Sequence, residues 1–373
     1  MDAPLDLFLT APPGLEAVLR DEALALGFGT PEALPGGVRI DGGWPEVWRA
    51  NLTLRGATRV LARIARFRAL HLAQLDKRAR RVPWREVLPP ALPVRVEAAC
   101  VRSRIYHAGA ARQRIERALR EEAGLTIATE ASDDAHTRIL ARIDDDLCTI
   151  SVDTSGAPLH RRGTKQAVGK APLRDTLAAL LLREAGYDGR EPLVDPMCGS
   201  GTFVLEAAAM ACGQAPGLHR SFAFETFPSF DAEVWHRMRP PVTEAPGPVR
   251  AWGFDRDQGA IAAASANSGR AHLAHATAFA RQPISELRPP VATPGLLIAN
   301  PPYGVRIGKK TPLRALYASF GETLLQHFSG WRVAFVTSEP ALARVTGLPL
   351  RPPGPPIPNG GLKIRLYQAG PLP

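Results

Sequence analysis

Two stretches carry residue types that could do chemistry. The first is Asn300-Pro301-Pro302-Tyr303, which follows an apolar run from Leu296 to Ala299. Two prolines cannot continue a central ladder, so the chain must leave the sheet there, at the carboxyl edge of a buried strand. In an open α/β sheet that edge is where ligands bind. The Asn300 side-chain oxygen and the Pro301 carbonyl can each accept an N–H proton from an amine. Together they would aim the lone pair of a conjugated, weakly nucleophilic amine at an electrophile and stabilise the positive charge that develops. Tyr303 offers a face on which a base could stack. Asn300, Pro301 and Tyr303 are therefore the candidate catalytic residues. The second stretch runs from Pro192 to Glu206: Leu193-Val194 ends in Asp195, Gly199 and Gly201 follow, and a helical pattern covers Phe203 to Met210. Such a turn brings backbone close to a ligand and aims the free N–H groups of a helix start at it. Its spacing is not the dinucleotide fingerprint, and it lacks the Lys of a phosphate-binding P-loop. Asp195, Pro196, Gly199, Gly201 and Thr202, with Asn300, are the candidate cofactor-binding residues.

Both stretches need a doubly wound sheet to bring them together, and residues 172–373 supply the pattern. A helix is expected from Leu173 to Glu184, before the strand at Leu193. The next strand, Arg250 to Asp255, closes in an acid that could accept hydrogen bonds from two ribose hydroxyls, which adds Asp255 to the cofactor set. An excursion from Gln214 to Arg250 separates it from the glycine turn. Asp257 reads as the N-cap of a helix over Ala260 to Asn267. Further strands are expected near His275 to Phe279 and over Trp331 to Thr337. A closing hairpin is expected through Val345 to Leu348 and Leu362 to Tyr367. That makes about seven strands in a Rossmann-like mixed sheet.

The 373 residues suffice for two or three domains, and a hydrophobic content of 45% suits a sizeable core. No apolar run reaches membrane-spanning length and Met1-Asp-Ala-Pro is no signal peptide, so a cytoplasmic protein without a membrane partner is expected. Cys100, Cys148, Cys198 and Cys212 are far apart, so reduced thiols are expected and no metal site. The net charge is +10 and the pI about 9.9. Residues 51–120 hold 17 Lys and Arg against 4 Asp and Glu, a local +13 that leaves the rest of the chain at −3. A basic excess confined to one segment is what a polyanion-binding module carries.

Residues 1–50 read as a small α+β unit, with strands over Leu5 to Leu9 and Val38 to Ile40. Between them a helix places Leu15, Val18, Leu19 and Leu26 on one face and stops at Gly27. Residues 51–68 read as an amphipathic helix with Ala57, Val60, Leu61 and Ile64 on one face and Arg55, Arg59, Arg63 and Arg66 on the other, placed to track phosphates. Residues 77–85 add a second basic cluster. A strand over Pro93 to Ala99 leads through the loop Arg102-Ser-Arg-Ile-Tyr-His107 into a helix. Strands over Thr137 to Ile143 and Leu147 to Asp153 follow. Arg102 and Arg104 join the candidate phosphate contacts. Residues 156–171, Gly-rich and basic, read as a linker.

Asp195-x-x-x-Gly199-x-Gly201 resembles the cofactor loop of S-adenosylmethionine (SAM) methyltransferases, and Asn300 to Tyr303 resembles the signature of those acting on exocyclic amino groups. The pattern over residues 51–155 resembles the THUMP domain, an RNA-binding module. Asn51-Leu-Thr-Leu-Arg55, Ser103 to His107, Ser155-Gly156, Leu159 to Gly163, Ala171-Pro-Leu173, Ala215 to Arg220, Gly304, Arg306 and Asn359-Gly360 extend the likeness over most of the chain. Together they resemble the THUMP-domain guanine-N2 RNA methyltransferases, in particular the N-terminal half of the 23S ribosomal RNA members; transfer RNA members are near relatives. The resemblance implies SAM as cofactor, RNA (23S rRNA or tRNA) as partner, a monomer, and N2-methylguanosine as product. It implies an N-terminal ferredoxin-like unit (1–50), a THUMP domain (51–155), a linker (156–171) and a methyltransferase domain (172–373). An adenine-N6 DNA methyltransferase and an RNA-binding assembly factor are the alternatives. The chain departs from the pattern at Pro283, where relatives place an acid for the cofactor's adenine; Ser285 or a backbone carbonyl would have to substitute. It is also expected to lack the second methyltransferase half of the fused relatives.

Overall fold

Leu7 and Leu9 alternate with less buried neighbours, and Leu5–Thr10 is accordingly a strand (β1) with one core face. The computed structural model describes residues 5–128, 136–165, 173–240, 248–303 and 310–373. Helix Glu16–Ala25 (α1) follows, and Gly27 takes up the left-handed conformation at φ +73° just past its end. Next come Glu32–Leu34 (β2), Gly37–Gly42 (β3), Trp44–Thr53 (α2) and Arg59–Arg68 (β4). They are followed by Leu72–Ala79 (α3), Trp84–Val87 (α4), Val94–Val101 (β5), Ala108–Ala118 (α5), Thr137–Asp144 (β6) and Leu147–Asp153 (β7). All seven strands form one sheet in the order β2-β3-β1-β4-β7-β6-β5. Every pair is antiparallel except β5 and β6, whose parallel pairing requires the crossover through α5.

Residues 51–68 are not the helix that their pattern suggests. The helix starts earlier, at Trp44, and ends at Thr53; the arginine-rich part is the central strand β4, bonded to β1 on one side and β7 on the other. Burial from both neighbours explains why Val60, Leu61 and Ala62 are all inside, which no single helical face would require. The turn into β4 is pinned by the buried Glu22 carboxylate, which accepts from the backbone N–H groups of Arg55 (2.8 Å) and Gly56 (2.9 Å). Asn51 and Ser155 form a second buried lock. Asn51 donates to Thr154 Oγ1 at 2.9 Å and accepts from Ser155 Oγ at 2.6 Å, while Ser155 Oγ accepts from the Val60 N–H.

This first compact unit comprises Met1–Ala11, Arg20–Leu159 and, from much later in the chain, Arg220–Arg239. The late segment brings aromatic rings to it: Phe227 packs edge-on to Trp44, and Phe224 stacks on Trp48. Arg220 donates to the carbonyls of Ser155, Ala157 and Pro158.

The second unit comprises Pro12–Leu19, His160–His219 and Pro240–Pro373. It contains Asp175–Glu184 (α6), Leu193–Asp195 (β8) and Thr202–Ala211 (α7). After the excursion, which carries Ala232–Met238 (α8), come Ala251–Asp255 (β9), Gln258–Arg270 (α9), Thr277–Arg281 (β10) and Leu296–Ala299 (β11). Lys310–His327 (α10), Arg332–Thr337 (β12), Pro340–Val345 (α11), Ile357–Asn359 (β13) and Leu362–Ala369 (β14) complete it. The sheet order is β10-β9-β8-β11-β12-β14-β13, parallel from β10 to β12 and antiparallel beyond. It is a Rossmann-like α/β fold with a seven-stranded mixed sheet. Phe320, Phe335 and Tyr367 centre the core on one face of β12. Two expectations are corrected here. The partner of β14 in the closing hairpin is β13, whereas Val345 ends helix α11 and Gly347, at φ +68°, follows it. The long helix α10 was not expected; Leu313, Tyr317, Phe320 and Leu324 give it a buried stripe. No described helix is long and apolar enough to cross a membrane.

Candidate active site

The strand order reverses between β8 and β11: the chain builds outward from β8 through β9 to β10, then returns to start β11 on the other flank. Ligands bind in the crevice outside the carboxyl ends of strands at such a switch point. Asp195 ends β8, Asp255 ends β9 and Asn300 follows β11, so three candidate residues reach the same edge on three adjacent strands.

The glycine turn is shaped by its hydrogen bonds. Asp195 Oδ1 accepts from the Met197 N–H at 3.0 Å, and the Cys198 N–H donates to the Phe254 carbonyl at 2.9 Å. Asp255 spans the turn, one oxygen accepting from the Gly199 N–H and the other from the Asp257 N–H, each at 3.0 Å. Gly199 (φ +53°) and Gly201 (φ +88°) are left-handed, and a Cβ on Gly199 would meet open space. That opening is the path by which a ligand can touch backbone. A Cβ on Gly201 would press Ala264 at 3.2 Å, so this second glycine serves packing against α9. Asp257 caps α9 as expected, accepting from the Gly259 N–H at 2.7 Å.

Burial pushes the Asp195 carboxyl up to about 8, and the nearby Asp255 charge adds to this. The native state therefore holds a proton that the unfolded chain has already lost, so between about pH 4 and pH 8 the stability of the ligand-free protein falls as pH rises. Asp195→Asn keeps an acceptor for Met197 and removes the titration. Its melting temperature should be flatter over that window and exceed the wild type's at pH 8. Superimposable pH profiles would mean that Asp195 is ionised in the native protein.

Asn300 is half-buried, and its Oδ1 is buried with no hydrogen-bond partner among the described residues. A buried carbonyl oxygen left unpaired costs about 1–3 kcal/mol, which a donor supplied by a ligand would recover. Pro301 is buried beside it. Tyr303 is held by its hydroxyl, which accepts from Asn359 Nδ2 at 3.2 Å; burial pushes its phenol upward. The Tyr317 hydroxyl donates to the Pro302 carbonyl at 3.4 Å, fixing the proline pair from α10. Gly304 and Arg306 lie outside the described residues, as do Ala171 and Pro172.

The stretch expected to be a linker is, in its described part, bonded to α6 and α7. Lys165 binds both the Asp175 carboxylate (3.2 Å) and the Thr202 hydroxyl, and Arg162 pairs with Glu206 at 3.5 Å. Burial pushes the Asp175 carboxyl up, against the pull of Lys165 and Arg162. The hydroxyl of Thr202 thus accepts from a side chain of the same unit. Sequence reasoning missed Lys165, Asp175 and Tyr317, and it reaches Asn359 only through the resemblance, without a role. Pro283 follows β10 and is exposed, and the Gln282 N–H beside it donates to the Asp255 carbonyl at 2.9 Å.

Of the arginines expected to contact RNA, Arg55 is buried, Arg59 pairs with the buried Asp153, and Arg63 pairs with Asp6 at 3.2 Å. Arg66, Arg102 and Arg104 are exposed.

Residues 162–349 match the family model described as RMKL-like, methyltransferase domain, and residues 6–61 match the RlmL ferredoxin-like domain. The chain belongs to the RMKL-like methyltransferase domain family. It is 38% identical over 93% of its length to "Ribosomal RNA large subunit methyltransferase K/L" of Syntrophotalea carbinolica, of which it covers 51%. The chain thus spans about half the length of that curated relative. It is 32% identical over 97% of its length to "Putative RNA methyltransferase slr0064" of Synechocystis sp., and covers 95% of that protein. Among solved structures, SMU.472, "a putative methyltransferase complexed with SAH", matches at a TM-score of 0.86 and 26% identity, covering 99% of this chain and 98% of that one.

Proposed function

We propose that the protein is a SAM-dependent RNA methyltransferase that methylates the exocyclic N2 of a guanine, in 23S ribosomal RNA. The observation that carries this is the buried Oδ1 of Asn300, without a partner among the described residues, at the switch point of a methyltransferase sheet. The names of the ribosomal RNA relatives support RNA as the substrate class. The open space at Gly199 fits a bound cofactor, as does the acid that closes β9.

SAM supplies an electrophilic methyl group on a sulfonium. Asp195, Pro196, Gly199, Gly201 and Thr202 would hold its amino-acid end, and Asp255 its ribose. Asn300 Oδ1 and the Pro301 carbonyl each accept a hydrogen bond from an amine N–H and direct the lone pair. They interact more strongly as the nitrogen becomes positive, which is where rate acceleration originates. Tyr303, steadied by Asn359, would stack on the base. A guanine inside a duplex has to be flipped out to reach it. In this reading residues 1–50 and 51–155 form a ferredoxin-like and a THUMP module that grip RNA, residues 156–171 lead into the catalytic domain (172–373), and the protein acts as a cytoplasmic monomer.

Nucleoside mass spectrometry after methyl transfer to RNA and to DNA tests this. N2-methylguanosine from RNA is expected; methylated adenine from either substrate would overturn it. Asp255→Ala should weaken SAM binding by about 1–3 kcal/mol in calorimetry, because the charged acceptor and the clamp on Gly199 are lost together. Unchanged affinity in the folded variant would assign the ribose to another residue.

A further inference from the structure

Two loops of the first unit hang on one residue, Asp146, in the turn between β6 and β7. Its backbone carbonyl accepts from the Ala69 N–H at 2.9 Å, and its Oδ1 accepts from the Arg104 N–H at 2.7 Å. Its own N–H donates to Ser103 Oγ at 3.0 Å, and Ser103 in turn donates to the Val101 carbonyl. Asp146 and Arg102 both sit at positive φ, +61° and +47°, so the turn and the loop are each held in a conformation that an unrestrained chain avoids.

Tyr106 lies on that fixed loop between two anchored neighbours. Ile105 is buried, and His107 caps α5 by accepting from the Ala110 N–H at 3.0 Å. Tyr106 itself is 85% exposed, the most exposed large apolar residue described, and Leu70 and Val101 are exposed at the same end of the sheet. A rigid mounting for an exposed ring has no purpose in the fold. Arginines share this end of the sheet with it, and so does the exposed Asp145. Arg102 pairs with Asp144 at 2.8 Å and Arg104 with Asp146 at 3.7 Å, so these two cations are matched by acids although 77% and 71% of their side chains stay in solvent. Arg66 and Arg68, on the strand that runs into Ala69, are exposed and make no ion pair among the described residues.

We infer that the rim formed by residues 66–70 and 102–107 binds single-stranded RNA, with Tyr106 as a stacking platform for an unpaired base and Arg66 and Arg68 as phosphate contacts. A base within a duplex offers no face to a side chain, whereas an unpaired one does. This deepens the proposed function, on which it rests for RNA as the polyanion.

The test is fluorescence anisotropy of the full chain with a labelled, unstructured RNA of about 12 nucleotides and with the same sequence as a duplex. Wild type is expected to prefer the single strand. Tyr106→Ala should lower single-strand affinity about 10-fold with an unchanged salt slope, and Tyr106→Phe should retain it. Arg66→Gln with Arg68→Gln should instead reduce the slope of log affinity against log salt by roughly 0.7 per charge. Wild-type affinity in Tyr106→Ala, or equal binding of strand and duplex, overturns the inference and leaves the methyl-transfer reading intact. Tyr106-dependent binding without methyl transfer to any RNA would overturn that reading and leave this one.

Discussion

Asn300→Ala is expected to reduce turnover by about 10²-fold or more while leaving SAM binding and RNA binding near wild type, the usual cost of one preorganised polar group at a reacting centre. The side-chain oxygen makes no hydrogen bond among the described residues, so its removal strands no partner there and the fold should tolerate it. Its interaction strengthens as the amine nitrogen gains positive charge, so the loss belongs to the transition state and should appear in kcat more than in KM. Single-turnover rates with saturating RNA and SAM separate the two. A variant that turns over at the wild-type rate, or one impaired only in KM, would remove Asn300 from the chemistry.

A chain lacking residues 1–155 is expected to lose solubility and cooperative unfolding. The reason is the segment Arg220–Arg239, which belongs to the first unit although it is encoded within the second half. Truncation strips Trp44 from Phe227 and Trp48 from Phe224 and Phe230. Each large ring so exposed forfeits about 1.5–3 kcal/mol of burial and adds to an aggregation-prone patch. Replacing residues 220–239 of the truncated chain by a short Gly/Ser connector should restore a folded methyltransferase domain. The measurements are soluble yield and the thermal transition of the two truncated forms side by side. A plain truncation that is soluble and unfolds cooperatively would show that the aromatic segment is stable without its partners.

The glycine turn and the Asn300 edge were legible because their physics is local. A short apolar strand, a turn whose left-handed positions favour glycine, and a proline pair that ends a ladder each announce themselves within ten residues. Residues 51–68 were misread because alternation and helical spacing coincide there: Val60 and Ile64 share a helical face, yet Val60 and Ala62 share a strand face. The deciding interactions are remote in sequence, with β4 pairing to β1 about fifty residues back and to β7 about ninety ahead. The same remoteness hid the fate of the arginines, since Asp6 and Asp153 neutralise Arg63 and Arg59 only once the sheet exists. Lys165 and Asp175 escaped notice because their stretch is Gly-rich and polar, and only the approach to Thr202 turns a connecting segment into part of a site.

The return of residues 220–239 to the first unit also sets an order for folding during synthesis. The sheet of the first unit is complete in sequence at Asp153, but the rings that cover Trp44 and Trp48 emerge from the ribosome only after α6, β8 and α7 have been made. Until then these two tryptophans have no lasting cover, and the second unit has β8 without either of its neighbours, β9 and β11. Neither half can reach its final state before the other has begun. Contacts of such sequence separation form late and slowly, so the aromatic surface of the first unit stays open to other partners until residues 220–239 have been made.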